Sequence, residues 1–277
     1  MLLFLFQVNS LTGFIRMQQS FYTEIEEALD KGLIETRLLS QQQLANLPPL
    51  LQRYMQVAGF LDRPVAQNMY LEWQDTYLKL KPDKDWMPIS CKQFNAVHPP
   101  MRVAFMAGKM LGLAPLTGQD MYKNGMGNML IKLAGFTLSD AKGPEMNASA
   151  LVTFLSEAIL LPGAILSGYI DWQQVSDDKL EASIKDAGIS VKGEFRFNAD
   201  GLPVAFETSD RYYSAGGSAY EQYPWTAYYL KYKDTDGYTL PSELKAAWQL
   251  PQGEYTYFKG LIKRVIYNVE HLEDLEV

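Results

Sequence analysis

Between Ile189 and Ser209 the side chains alternate in character residue by residue, and this alternation confines the segment to a sheet with one wet and one buried face. Ile189, Val191, Phe195 and Phe197 interleave with Ser190, Lys192, Glu194 and Arg196. The chain turns at Asn198-Ala-Asp-Gly201, and Val204, Phe206 and Thr208 then interleave with Ala205, Glu207 and Ser209. A period of two sends successive side chains to opposite faces, and a short polar turn joins such a pair as an antiparallel hairpin. Leu180, Ala182 and Ile184 predict a strand just before it, reached from Tyr169–Val175 through Asp177-Asp178. Downstream, Trp225–Lys233, Tyr238–Leu250 and Glu254–Tyr267 continue the meander across Asp234-Thr-Asp-Gly237 and Pro251-Gln-Gly253, with Leu244, Ala246, Trp248 and Leu250 on one face.

The first half carries the same pattern more weakly. Asn68–Leu80, Ile89–Val97, Met101–Lys109, Leu116–Lys123 and Met126–Ala134 predict strands punctuated by Pro82, Pro99-Pro100, Gly112 and Gly125. Helical spacing occurs elsewhere. Phe14, Met17, Phe21, Ile25 and Leu29 form a stripe running to Lys31-Gly32. Ser40 can cap a helix over Gln41–Leu47, and Leu50, Leu51, Tyr54, Met55 and Ala58 suit another after Pro48-Pro49, ending at Gly59. Between the two strand sets, Asn147 can cap a helix carrying Leu151, Phe154, Leu155, Ala158 and Ile159 before Pro162.

The resulting expectation is an α+β fold: a curved antiparallel sheet, a half-barrel of about eleven strands, with a central plug helix and N-terminal helices. It divides into an N-terminal helical segment over 1–60 and a curved antiparallel β domain over 61–277, with the helix inserted near 147–160. The N-terminus opens Met1-Leu-Leu-Phe-Leu-Phe6 and carries no charge before Arg16. As a helix this uncharged run spans about 22 Å, short of the roughly 30 Å of a bilayer core. It lacks the basic n-region of a secretory signal. A docked amphipathic helix, the remnant of a longer membrane anchor and an atypical signal peptide all fit it.

Several chemistries are thinly supplied. One cysteine, Cys91, forms no intramolecular disulfide and no cysteine metal cluster. The two histidines are His98, directly before Pro99-Pro100, and His271, in a charged tail. No Gly-x-Ser-x-Gly elbow occurs. The glycines of Lys123-Asn-Gly-Met-Gly-Asn128 lack the spacing and the lysine of a phosphate loop and read as a hairpin turn. With 25 basic and 32 acidic residues the formal charge is −7, which disfavours nucleic acid as a partner. No cofactor and no metal is called for. The catalytic material that remains is carboxylate: Glu145, Glu157 and Asp210 stand in apolar or aromatic surroundings, and a converging pair could perform acid–base hydrolysis.

Aromatic residues reach 13%, and methionines crowd the stretch from Met101 to Met129. Such side chains suit either a greasy cavity or an irregular core. If the sheet is a half-barrel, the candidate cavity lining is Phe105, Met121, Phe154, Trp172, Phe195 and Trp248. Arg211 would then stand at the rim, where a guanidinium can pair with an acidic head group.

An ordered series of short motifs carries a family resemblance: Leu47-Pro48, Gln52-Arg53-Tyr54, His98-Pro-Pro100, Asp120-Met-Tyr122 with Gly125-Met-Gly127, and Gly143-Pro-Glu145. It continues through Glu157, Pro162, Trp172, Phe195-Arg-Phe197, Asp210-Arg-Tyr212, Pro224-Trp225, Pro241, Trp248 and Gly253. Over about residues 47–267 the chain resembles a bacterial domain family of unknown function, whose members often carry membrane-spanning helices ahead of the domain. More remotely it resembles the lipoprotein-carrier half-barrels of the LolA and LolB type, which hold acyl chains in the concavity of a curved sheet. The resemblance implies a non-enzymatic domain that binds a lipid or another hydrophobic small molecule. It also implies membrane association through the N-terminus, and favours the bacterial cell envelope over the cytoplasm. A carboxylate-dependent hydrolase and a partner-binding scaffold are the alternatives.

Overall fold

Thirteen strands lie side by side in one antiparallel sheet in the computed structural model, which describes residues 2–32, 37–214 and 219–276, with side chains from Ser10 onward. The chain begins with α1 (Leu2–Leu29), α2 (Gln41–Leu44) and α3 (Pro49–Val57). The first meander is β1 (Asn68–Leu78), β2 (Met87–Ala96), β3 (Met101–Met110), β4 (Ala114–Lys123), β5 (Met126–Leu133) and β6 (Phe136–Ala141). Next come α4 (Pro144–Glu157), a tight helical turn over Ala158–Leu160, and α5 (Pro162–Ile165). The second meander opens with β7 (Ile170–Ser176), β8 (Lys179–Asp186), β9 (Ile189–Phe197) and β10 (Pro203–Thr208). After a two-stranded ribbon of β11 (Tyr212–Tyr213) and β12 (Glu221–Gln222), it closes with β13 (Trp225–Thr235), β14 (Tyr238–Leu250) and β15 (Gly253–Tyr267).

The order across the main sheet is β6-β5-β4-β3-β2-β1-β15-β14-β13-β10-β9-β8-β7. The last strand thus returns to pair with the first, Met69 opposite Tyr267, and fuses the two meanders. Two-residue turns join many neighbours. At Asn124-Gly125 both residues take positive φ, 53° and 76°, the conformation whose twist matches flanking strands. The glycine-rich stretch read as a hairpin is therefore one.

Register slips bend the strands at the middle of the sheet. Asp75 sits at φ 45° inside β1, where the register slips against both β15 and β2, and a further slip lies between β14 and β15 at Ala246 and Ala247. An extra residue in one strand increases local twist and curls the sheet. The curl is deep enough that α4 packs on β4 and β5 near one margin and on β8 and β9 near the other.

The two faces bury separate cores. On the concave side, α3, α4 and α5 pack with Leu71, Tyr122, Phe195, Phe206, Tyr229 and Trp248 into one continuous cluster. On the convex side, Met17, Phe21 and Ile25 of α1 cover Tyr70, Phe94, Val103 and Phe105. The stripe read from Phe14 onward is this contact. The side chains of the N-terminal apolar run, Met1 to Phe6, lie outside the described residues, although the backbone from Leu2 belongs to α1. No described helix is long and apolar enough to cross a membrane.

The fold is the expected α+β architecture with a plug helix, and its details differ in two ways. The sheet has thirteen strands rather than about eleven. One missed strand, β6, is an exposed edge strand without a buried alternate face. The plug helix starts at Pro144 rather than after Asn147. Proline suits the first helical position, where its missing N–H costs nothing, and Gly143 at φ 109° supplies the break before it.

Candidate functional site

The centre of the molecule is α4, whose residues Ser149 to Ser156 are all buried. A helix buried on every side has no wet stripe to orient it, so bonds at specific points must fix its place. At its start it lies so close to β5 that a side-chain carbon at Gly127 would overlap the Met146 carbonyl. There Asn147 Oδ1 accepts the Gly127 backbone N–H at 2.8 Å. Asn147 therefore fastens the helix to the sheet rather than capping it.

Arg211 holds the middle of the N-terminal half. Its Nη1 donates to the Ser149 carbonyl at 2.9 Å and to Thr153 Oγ1, and the next backbone N–H, of Tyr212, donates to Ser149 Oγ at 3.0 Å. The guanidinium lies 4.6 Å from the Trp225 ring centre and 5.8 Å from that of Trp248, a cation–π box.

The C-terminal end is held by three phenols. A helix leaves its last carbonyls without partners, and buried ones must find donors elsewhere. Tyr229 donates to the Ser156 carbonyl at 2.5 Å, Tyr54 to Ile159 at 2.7 Å and Tyr267 to Leu160 at 2.8 Å. Burial pushes all three phenols well above their usual range.

Beside these phenols lies a buried ionic cluster. Arg102 Nε donates to both Glu157 oxygens, at 3.0 and 2.9 Å, and Nη1 to Asp120 Oδ2 at 2.8 Å. The Arg102 and Glu157 side chains are only 10% and 12% exposed. Gln93 and Asn95 each donate an amide N–H to Glu157 Oε2, at 2.7 and 2.8 Å. Burial works against the Arg102 charge, but Glu157 and Asp120 outweigh it and hold the group well above its ordinary value. The cluster is a closed set of charges that joins the last residue of α4 to β2, β3 and β4.

The sequence-predicted lining splits between the two faces. Phe154, Phe195 and Trp248 are buried in the concave cluster, with Trp172 packed against it. The Trp172 and Phe195 rings are 5.6 Å apart, Phe195 and Phe206 4.7 Å, and Trp248 and Tyr213 5.4 Å. Phe105 and Met121 instead belong to the convex cluster under α1, where Phe105 meets Phe14 at 5.6 Å. Alternation explains the correction: Arg102 of β3 faces α4, so Phe105, three residues on, faces away. Arg211, expected at a rim and free for a head group, is engaged by α4.

The three candidate carboxylates do not meet. Glu157 is enclosed by Arg102, Asp210 Oδ2 accepts the Lys192 backbone N–H at 2.8 Å, and Glu145 stands in the first turn of α4, about 18 Å of helix from Glu157. The Cys91 thiol is buried, and burial pushes it up to about 12. His98 is exposed at a turn, its ring 5.7 Å from Tyr169. A cleft of about 350 Å³ borders His98, Gln43, Asn46 and Ser167. Another, of about 440 Å³, borders Thr235, Asp236, Leu240 and Asp274. Neither is lined by Phe154, Phe195 or Trp248.

Sequence reasoning passed over Arg102, Asp120, Gln93 and Asn95. The signal was there: Gln93 and Asn95 occupy alternate positions in β2, both buried, and polar residues on an inward period mark a buried network.

Residues 37–260 match a family described as a family of unknown function (DUF6544). No curated protein matches the chain. Among solved structures, a LolA superfamily protein from Nitrosomonas europaea aligns over 82% of this chain and 96% of its own, at 11% identity and a TM-score of 0.38.

Proposed function

The chain belongs to the DUF6544 family of unknown function, and on that premise we propose that it is a non-enzymatic binding domain for a lipid or another hydrophobic ligand, working at the cell envelope. The observation that carries this reading is how α4 is seated. The helix lies in an apolar, aromatic trough of the curved sheet, and side-chain bonds near its two ends fasten it there. The trough is one helix wide, about 10 Å, which is room for a slender apolar molecule wherever α4 yields.

Native mass spectrometry of the purified protein, looking for a retained lipid, is the direct test. Displacement of a fluorescent fatty acid complements it. Arg211→Ala removes the bonds to the Ser149 carbonyl and Thr153, which loosens the N-terminal half of α4, and is expected to raise uptake of the probe. A parent chain that retains no lipid and binds no probe, before or after that substitution, ends the reading.

A partner-binding scaffold is the second reading. It is favoured by the packing of Phe154, Phe195 and Phe206 into a filled interior. The hydrolase alternative draws no support, because Glu145, Glu157 and Asp210 stand on separate partners.

A further inference from the structure

One corner of the sheet exposes large apolar side chains where turns are ordinarily polar. In the β3–β4 turn Leu111 is 93% and Leu113 84% exposed, and in β6 Phe136 is 64% exposed, with Leu138 also open. The β3–β4 and β5–β6 turns are neighbours, tied by the Ala134 N–H to the Pro115 carbonyl at 2.7 Å. Single exposed leucines are ordinary, whereas a contiguous apolar tip marks an interaction surface.

The course of α1 adds to this tip. Ser20 meets Gln119 midway along β4, and Lys123 at the far end of that strand pairs with Glu24 and Glu27. Gly13 is where the helix crosses the β5–β6 turn, pressed against Gly135. The helix therefore enters from the tip end, and the turns of backbone before Gly13, about 16 Å of helix, extend past it. Their sequence, Leu2-Leu-Phe-Leu-Phe-Gln-Val8, is predominantly apolar.

The charges on the segments that form the tip are of one sign. No aspartate or glutamate occurs in residues 2–23, 101–119 or 129–139, although the chain as a whole carries −7. Arg16 and Lys109 are exposed there and Lys132 is half-buried. The adjacent β1–β2 loop adds Lys79, Lys81 and Lys84 against Asp83 and Asp85. Apolar groups ringed by cations complement an anionic lipid surface, where leucine and phenylalanine enter the acyl boundary and lysine and arginine meet the head groups.

We infer that this tip, Leu111, Leu113 and Phe136 together with the start of α1, docks the protein on the surface of an anionic bilayer. The inference goes beyond ligand carriage and stands without it, since the tip lies outside the trough.

Co-sedimentation with vesicles tests it, using phosphatidylcholine alone and phosphatidylcholine mixed with phosphatidylglycerol. The full chain is expected to sediment with the mixed vesicles and to be released as salt rises. Leu111→Asp with Leu113→Asp, in an exposed turn, should leave the melting temperature unchanged and weaken vesicle binding by about tenfold or more. Lys109→Glu with Lys132→Glu should abolish the preference for the anionic vesicles. A parent that stays in solution with both vesicle types overturns the inference, as does a leucine variant that sediments like the parent. A parent dimer that the leucine variant turns into a monomer also overturns it, in favour of a second copy of this chain. Retained lipid in mass spectrometry is a separate readout, so the two proposals fail independently.

Discussion

Tyr122 donates its hydroxyl to Asp186 Oδ2 at 2.6 Å, and this bond joins β4 to β8, strands that lie near opposite margins of the sheet. Beside it the Asn124-Gly125 turn rests on Ala187, so close that a side chain at Gly125 would overlap it. Backbone pairing never closes this sheet, and these side-chain contacts bridge its margins. Burial, and then the bond to Asp186, raise the Tyr122 phenol well above its usual range, so the link persists through ordinary pH.

Tyr122→Phe removes the bond and keeps the ring. A hydrogen bond to a charged acceptor contributes about 1.5–3 kcal/mol, and Asp186 is open enough to recover water, so a cost near 1 kcal/mol is expected in urea unfolding. Amide exchange should quicken at the β4–β5 and β8–β9 turns while the β1–β15 pairing stays protected. Unchanged exchange at both turns would show that packing, not this bond, holds the margins.

The ionic cluster makes a different demand. Glu157→Ala leaves Arg102 buried beside Asp120 alone and strands the Asn95 amide, while Gln93 Nε2 keeps Asn95 Oδ1. Breaking a buried pair from one side costs about 3–5 kcal/mol. Replacing Arg102 and Glu157 together with methionine should cost less than the two single changes summed, because the two most buried charges leave together and only the more open Asp120 loses its partner. Chemical denaturation of all three variants measures the coupling. Additive losses would mean that Arg102 and Glu157 do not act as a unit.

The strands of the second meander were legible because each buries one face and wets the other, as in Leu180, Ala182 and Ile184 of β8. The first meander is less legible because several of its strands are covered on both faces. In β3, Met101 to Met106 are all buried, by α1 on one side and by the α4 side on the other, so no wet period remains to assign Phe105 a face. The site was hardest to read for a related reason. Which phenols reach the end of α4 depends on how the sheet curls, and no spacing along the chain brings Tyr54, Tyr229 and Tyr267 together.

Those phenols predict alkaline behaviour. Tyr54, Tyr229 and Tyr267 are held neutral by burial, so their folded values lie above the unfolded value near 10. A raised value contributes stability that is fully present below the unfolded value and is lost as pH rises past it. Stability should therefore be flat to about pH 9 and fall steeply above about pH 10, with the buried phenols ionising together as the chain unfolds. Phenolate absorbance followed alongside circular dichroism checks this. Tyr229→Phe should also cost about 1–3 kcal/mol at neutral pH, by leaving the Ser156 carbonyl without its donor. Phenols that ionise one by one in a folded chain would contradict the seating of α4.

Ala182 offers the sharpest measure of how full the trough is. It is fully buried, and it stands opposite Trp172 on one side and Gly193 on the other. At Gly193 the Phe206 ring already occupies the space a side chain would need. Ala182→Trp therefore adds an indole where two rings are packed, and overpacking of this kind costs about 1–3 kcal/mol or more. That loss is the expected result in urea unfolding, together with weaker binding of a fluorescent fatty acid than the parent shows. Probe binding equal to the parent's would move the ligand away from the trough. A large loss of stability in a protein whose parent binds no probe would leave a filled core in place of a carrier. The scaffold reading would then account for the molecule better.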